Sequence, residues 1–265
     1  MKLKKKTKQY LPLICIIIIA IIILLIVLLS NNKQEETIVV EESLYDISKF
    51  DMSNTFYTYE DDDYTSMAGI DVSEHNGTID WAKVKESGAK FAFIRIGWRG
   101  YTEGNIYLDN NFKENYENAK ANNIKVGVYF FSQAITADEA KQEAEFVNDN
   151  LKGLTLDLPV VYDFENITEG EARSDNLTKQ ECTNNALTFL KNISNKYDVM
   201  LYANSNLIEN YYDISKLADY NLWYAQYHSE PTTKEEFVIW QYSEDGNIEG
   251  IEKPTDLNIM FIKKD

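Results

Sequence analysis

The chain has 265 residues, enough for one large domain or two small ones. Its net charge is −17, from 43 Asp and Glu against 26 Lys and Arg, and so acidic a surface repels phosphate and excludes nucleic acid as a partner. Its two cysteines, Cys15 and Cys182, do not make a disulfide framework, because Cys15 lies inside an apolar run.

The first ten residues are basic, with lysines at 2, 4, 5, 6 and 8. Residues 11–29 then hold no charge and are almost wholly Ile, Leu and Val. At about 1.5 Å per residue such a run matches the roughly 30 Å hydrocarbon core of a bilayer. Lysines on its N-terminal side place the N-terminus in the cytoplasm and the rest of the chain outside. A cleaved signal peptide is the competing reading. The run is longer than an h-region, however, and Leu28-Leu29-Ser30-Asn31-Asn32 offers no Ala-x-Ala-like site. The expectation is a single-pass anchor in the cell membrane.

Residues 30–66 are read as an acidic extracellular linker. Up to Thr65 they carry ten Asp or Glu against two Lys, including Glu60-Asp61-Asp62-Asp63, with little helical or strand periodicity. Such a segment is a self-repelling tether with a reach of roughly 35 Å.

From residue 67 to 265 short β-rich runs alternate with helical ones. The strands are expected at 68–72, 91–96, 126–131, 159–165, 199–202, 222–226, 238–242 and 259–262. Helices are expected at 81–87, 110–121, 138–151 and 178–194, the last opened by the capping box Thr178-Lys179-Gln180-Glu181. Alternating strands and helices imply parallel βαβ units. The fold class is therefore α/β: an irregular TIM-like barrel of about eight strands, closed by short connections at its end.

In such barrels chemistry sits at the C-terminal ends of strands. Asp71 ends the first strand and Asp163 and Glu165 end the fourth, while Asp256 leads into the last. Asp163 and Glu165, two apart on a strand, share a face with Cα atoms about 6.5 Å apart. Carboxylates that close resist ionising together, so one keeps its proton toward neutral pH, as a general acid must. With only His75 and His228, and no His-Glu-x-x-His or Cys-x-x-Cys pattern, no metal or other cofactor is expected. Cys182 reads as a core thiol.

These residues carry a resemblance. Gly69-Ile70-Asp71-Val72-Ser73-Glu74-His75-Asn76-Gly77 with Ile79-Asp80-Trp81 is similar to the opening of the glycoside hydrolase family 25 lysozymes, the Chalaropsis-type muramidases. In order follow Phe91-Ala92-Phe93-Ile94-Arg95, Gly127-Val128-Tyr129-Phe130-Phe131, Asp163-Phe164-Glu165, Leu222-Trp223-Tyr224-Ala225-Gln226-Tyr227, Trp240-Gln241-Tyr242 and Asp256-Leu257-Asn258. The resemblance implies a flattened barrel of eight strands and five helices. It also implies hydrolysis of the β-1,4 bond between N-acetylmuramic acid and N-acetylglucosamine in peptidoglycan glycan strands. On it, Glu165 looks like the general acid and Asp163 like the partner of the substrate acetamido group or of the charged intermediate. Asp71 and Asp256 look like further acids of the site, and Tyr129 is similar to the family tyrosine near the reacting sugar. Tyr202 and Trp223 are expected to stack on sugars, and Gln226 to bind substrate. Two departures stand out. Many members follow the second strand with Lys-x-Ser/Thr-Glu-Gly, where this chain reads Arg95-Ile96-Gly97-Trp98-Arg99-Gly100, and Asn76 stands where many have Gln.

A strand-spaced Asp-x-Glu permits cleavage assisted by the substrate's own amide, and direct carboxylate attack stays open. A chitinase-like endo-N-acetylglucosaminidase and a non-catalytic wall-binding scaffold are the alternative functions. The anchor fits local wall remodelling or membership of an envelope-spanning assembly.

Overall fold

The computed structural model describes residues 44–168 and 170–264. The basic segment 1–10, the apolar run 11–29 and the first part of the expected linker, 30–43, lie outside the described residues. Among the described residues no helix is long and apolar enough to cross a membrane.

A small antiparallel hairpin, β1 (Phe50–Asp51) with β2 (Thr58–Tyr59), precedes one large sheet. The sheet contains β3 (Tyr64–Val72), β4 (Phe91–Arg99), β5 (Ile106–Leu108), β6 (Lys125–Ser132), β7 (Val160–Phe164), β8 (Val199–Asn204), β9 (Asn221–Ala225), β10 (Ile239–Gly246) and β11 (Thr255–Lys263). Eight strands run β3-β11-β10-β9-β8-β7-β6-β4, and β4 pairs back onto β3 to close the barrel. Seven are parallel; β11 runs antiparallel between β10 and β3. The short β5 pairs antiparallel with the end of β4, outside the ring.

The helices are α1 (Trp81–Glu86), α2 (Phe112–Ala121), α3 (Ala137–Asn150) and α4 (Lys179–Ile193), with a π-helical turn at Leu207–Tyr211 as the fifth helical connection. Local sequence starts them. Asp80 and Thr136 each accept a backbone N–H of the first turn, and Thr178 and Glu181 cap one another reciprocally. Cys182, Ala186, Phe189, Leu190 and Ile193 repeat at helical spacing and form the buried face of α4.

Alternation along the strands divides two cores. Ile70, Ala92, Ile94, Val126, Val128, Phe130, Val160 and Tyr162 face outward and pack in the core shared with the helices. Phe91, Phe93, Val161, Met200, Tyr202, Trp223, Ala225 and Ile239 face inward and fill the barrel. Gly69 and Gly127 make room for that filling, since a Cβ on either would collide with the rings of Phe91 or Phe93.

The structure corrects the expected linker over 44–66. Tyr45 is buried, its ring stacked on Phe261 with centroids 3.5 Å apart and its hydroxyl donating to Phe237 O at 2.8 Å. Tyr57 stacks on Tyr242 at 4.0 Å, and the Tyr242 hydroxyl donates to Thr55 O at 3.1 Å. Phe56 and Tyr59 are buried too, and β3 begins at Tyr64, before the expected domain boundary. The acids of this stretch serve its turns. Asp61 accepts the N–H groups of Asp63 and Tyr64, and Glu60 pairs with Lys264. Acidic composition hid a strap of aromatics that extends the barrel's outer core.

A tether would tolerate any change at Tyr45 within about 0.5 kcal/mol. A core residue would not: Tyr45→Ala is expected to lower unfolding free energy by about 3 kcal/mol in urea titrations.

Candidate active site

Because seven strands are parallel, their C-terminal ends share one mouth, and β11, running the other way, begins there. Asp71 lies at the end of β3 and sits directly across from Asp256 near the start of β11. Asp163 lies in β7, between Phe131 of β6 and Tyr202 of β8. Glu165 follows β7 immediately. Asp71 and Asp163 are buried, while Glu165 and Asp256 are half-buried. The four acids singled out from the sequence are thus brought together.

Neutral donors hold Asp71. Its Oδ2 accepts from Gln241 Nε2 and from Asn258 Nδ2, both at 2.8 Å. Gln241 Oε1 in turn accepts the hydroxyls of Tyr202 and Tyr227, each at 3.0 Å. Two phenols on that oxygen fix which end of the amide faces Asp71. Asn258 is fixed likewise, because its Oδ1 accepts Trp223 Nε1 at 2.8 Å.

Glu165 is placed through its backbone. Its carbonyl accepts from Gln133 Nε2 at 2.8 Å, and Gln133 Oε1 accepts from Ser174 Oγ at 2.7 Å. Gln133 and Ser174 are both buried, so this clasp ties the end of β6 and the loop after β7 to the acid.

Burial and crowding keep protons on the cluster. Burial, with the charge of Asp71 and then Glu244 behind it, lifts Glu165 from its ordinary 4.5 to about 7. Burial and the facing Asp71 lift Asp256 to about 9. Burial, then Glu165 and Asp71, pushes Asp163 well above the usual carboxylate range, against the pull of Arg95. Asp71 rises only to about 6, since the hydrogen bonds from Asn258 and Gln241 offset its burial. Asp163 Oδ1 is buried and has no hydrogen-bond partner among the described residues. Arg95, on the inner face of β4, is largely neutralised by Asp109 at 2.8 Å and Glu74 at 3.4 Å. Among the described residues no three of His, Cys, Asp and Glu are grouped to hold a metal ion.

The aromatic and amide expectations fare differently. Tyr129 is half-buried on the inner face and feels Asp71 and Asp163. Trp223 is corrected from sugar platform to floor. It is 2% exposed, lies 4.7 Å from Phe93 between ring centroids, and meets Tyr202 edge-on at 5.3 Å. Tyr202 is also buried, and its hydroxyl is committed to Gln241. Gln226 is corrected as well: both ends of its amide bond Thr232 at 2.8 Å, closing its own loop. Sequence reasoning passed over Gln241, Asn258, Arg95, Gln133 and Tyr227 as site residues. Period-two spacing could have found Asn258 from Asp256 and Arg95 from Phe93. No spacing could have found Gln133.

Comparison with known proteins agrees with this geometry. The family described as Glycosyl hydrolases family 25 matches residues 70–251. The autolytic lysozyme of Clostridium acetobutylicum is 31% identical over 194 residues, 72% of this chain and 55% of that protein. Lysozyme M1 of Streptomyces globisporus is 30% identical over 212 residues, 74% of this chain and 68% of that protein. The spore cortex lytic enzyme SleM of Clostridium perfringens superposes with a TM-score of 0.65 at 25% identity, covering 74% of this chain and 67% of that one. The chain thus spans about half the length of the first of these relatives and two thirds of the others. On the family match and the Lysozyme M1 identity together, this chain belongs to glycosyl hydrolases family 25.

Proposed function

We propose that the chain is a peptidoglycan hydrolase that cuts the β-1,4 bond between N-acetylmuramic acid and N-acetylglucosamine, with Glu165 as general acid. One observation carries the reading: a carboxyl at the barrel mouth raised to about 7 by its own burial and by the charge of the buried Asp71. Two relatives named as lysozymes support the substrate.

In this reading Glu165 gives its proton to the leaving glycosidic oxygen as the C–O bond breaks. The substrate's acetamido oxygen attacks the anomeric carbon, and its N–H meets the unpartnered Oδ1 of Asp163. That hydrogen bond favours the ionised form of Asp163. Negative charge on Asp71, oriented by Gln241 and Asn258, stabilises the cationic transition state. Water then opens the intermediate, and Glu165 takes back a proton.

The outward-facing membrane anchor belongs to the same proposal, supported by the uncharged run 11–29 behind its lysines. Residues 44–66 of the expected linker belong to the barrel's outer core. Cell fractionation tests the anchor. Catalytic chain in the medium, with an N-terminus near residue 30, would overturn it.

Digestion of purified peptidoglycan, with mass analysis of the new reducing ends, tests the reaction. Muramic ends are expected, and glucosamine ends would redirect the reading to an endo-N-acetylglucosaminidase. Glu165→Gln is expected to lower turnover by at least a thousandfold; near-normal lysis by that variant would remove Glu165 from the role.

The titration of Glu165 gives two further expectations. Parent kcat/KM falls as pH rises through about 7, where the acid loses its proton. The same group links pH to stability. Its folded pKa lies above 4.5, so the native state keeps a proton that the unfolded chain has released. This contribution is fully present below pH 4.5 and is lost as pH rises through about 7. Glu165→Gln cannot ionise, so it should match the parent near pH 4 and exceed it by about 1–2 kcal/mol above pH 8, after allowance for partial solvent access. Urea titrations at the two pH values check the sign.

Gln241→Leu removes a donor from Asp71 and the acceptor of two phenols. A stability loss of about 2 kcal/mol and at least a tenfold loss of turnover are expected, measured by urea titration and reducing-end release.

A further inference from the structure

We propose that Trp98 and Tyr107, paired across the β4–β5 hairpin, form an aromatic platform at the barrel mouth on which a pyranose ring of the glycan strand stacks. The inference rests on the muramidase reading above and names a contact that the reading does not contain.

Strand register turns Trp98 toward the mouth. Along β4 and β6 the parallel pairing is regular through Phe93 with Gly127 and Arg95 with Tyr129. It then jumps: Gly97 pairs with Phe130 and Trp98 with Phe131, leaving Ile96 as an extra residue. A bulge of one residue exchanges the two faces of a strand beyond it. Unbulged, position 97 would face the mouth with Arg95, and Trp98 would point outward toward the helices. With the bulge, position 97 takes the outward face. A Cβ there would collide with Tyr107 O and lie 2.9 Å from Phe146, next to the outward-facing Phe130, so glycine is required. Trp98 takes the inner face.

Contacts agree with that assignment. The Arg95 guanidinium carbon lies 4.6 Å from the centroid of the Trp98 ring. Tyr107 stands directly opposite Trp98 across the hairpin, their ring centroids 5.4 Å apart at 30°. Tyr107 is 40% exposed and Trp98 half-buried, so the pair presents ring surface to water.

Position supplies the occupant. β4 lies between β3, which ends at Asp71, and β6, whose other neighbour is β7 with Asp163. The platform therefore stands on the wall between the two acid pairs. A glycan strand reaching Glu165 passes a pyranose over that wall. Sugar rings offer apolar C–H faces and polar edges, which suits a wide aromatic surface. The hairpin is held rigid for the purpose. Arg99, one residue on, donates to Glu143 at 2.7 Å, to Gly104 O at 2.6 Å and to Glu139 O at 2.9 Å, and Gly100 N bonds Asn105 O at 2.8 Å. A preorganised surface binds without an ordering penalty.

The test compares the full chain with Tyr107→Ala, Tyr107→Phe and Trp98→Leu on soluble, uncrosslinked glycan strands. Hydrolysis is followed by reducing ends. Binding of a non-hydrolysed N-acetylglucosamine–N-acetylmuramic acid tetrasaccharide is followed by calorimetry in the Glu165→Gln background. Tyr107→Ala should raise KM and Kd about tenfold with kcat changed less than twofold, and Tyr107→Phe should stay within twofold of the parent. Trp98→Leu should weaken binding at least as much as Tyr107→Ala. The exposed Tyr107 can be altered without threatening the fold, so its result decides even if Trp98→Leu does not fold. Unchanged KM and Kd in Tyr107→Ala, or a loss confined to kcat, overturns the platform while the reaction stands. A parent chain that releases no sugar ends overturns the muramidase reading, and the platform with it.

Discussion

Carboxyl groups crowded into one desolvated mouth are the constraint on which the site depends. Asp71, Asp163, Glu165 and Asp256 cannot all ionise together away from water. Cations would relieve them, but Arg95 is already committed to Asp109 and Glu74. The relief on offer is neutral: amide N–H groups for Asp71, and protons for the others. Amide donors orient a carboxylate without cancelling its charge. That leaves one anion, Asp71, beside an acid that keeps its proton to about pH 7.

Below this mouth the barrel is solid. Phe91, Phe93, Met200, Trp223 and Ile239 fill it, and Trp223 is both filler and donor, its indole N–H fixing Asn258. Packing therefore reaches the chemistry through two hydrogen bonds, Trp223 to Asn258 and Tyr202 to Gln241, and from both amides to Asp71. Outside, the aromatic strap of 44–66 packs on Tyr242 of β10 and Phe261 of β11, neighbours joined with no helix between them. The strap supplies the apolar cover that helices supply elsewhere around the ring.

The eight barrel strands and α1–α4 were legible because runs of β-branched and aromatic residues alternate with helical periods, and caps such as Thr178 with Glu181 mark starts. The acids were legible because strand ends can be counted. Three things were not. Tyr45, Phe56 and Tyr59 are interleaved with acids, and average composition over such a stretch reports the solvated face alone. Gln241 is an amide whose partners lie 14, 39 and 170 residues away and meet it only once the barrel closes: Tyr227 and Tyr202 on one end, Asp71 on the other. Gln226, sitting in a matched motif, is spent on Thr232 six positions further on, which only loop geometry decides.

The bulge at Ile96 shows why a motif departure has to be read through register. Trp98 lies in the stretch Arg95–Gly100, which stands where many family members carry Lys-x-Ser/Thr-Glu-Gly. In this chain Trp98 faces the mouth, because the extra residue turns it there. A carboxylate at Trp98 would add a further negative charge beside Asp71 and Asp163 and push their protonation higher still. An indole adds none. It leaves the acid cluster's proton balance to the four carboxyls and gives the mouth an uncharged wall, so the departure alters what the site can grip without altering what it can protonate.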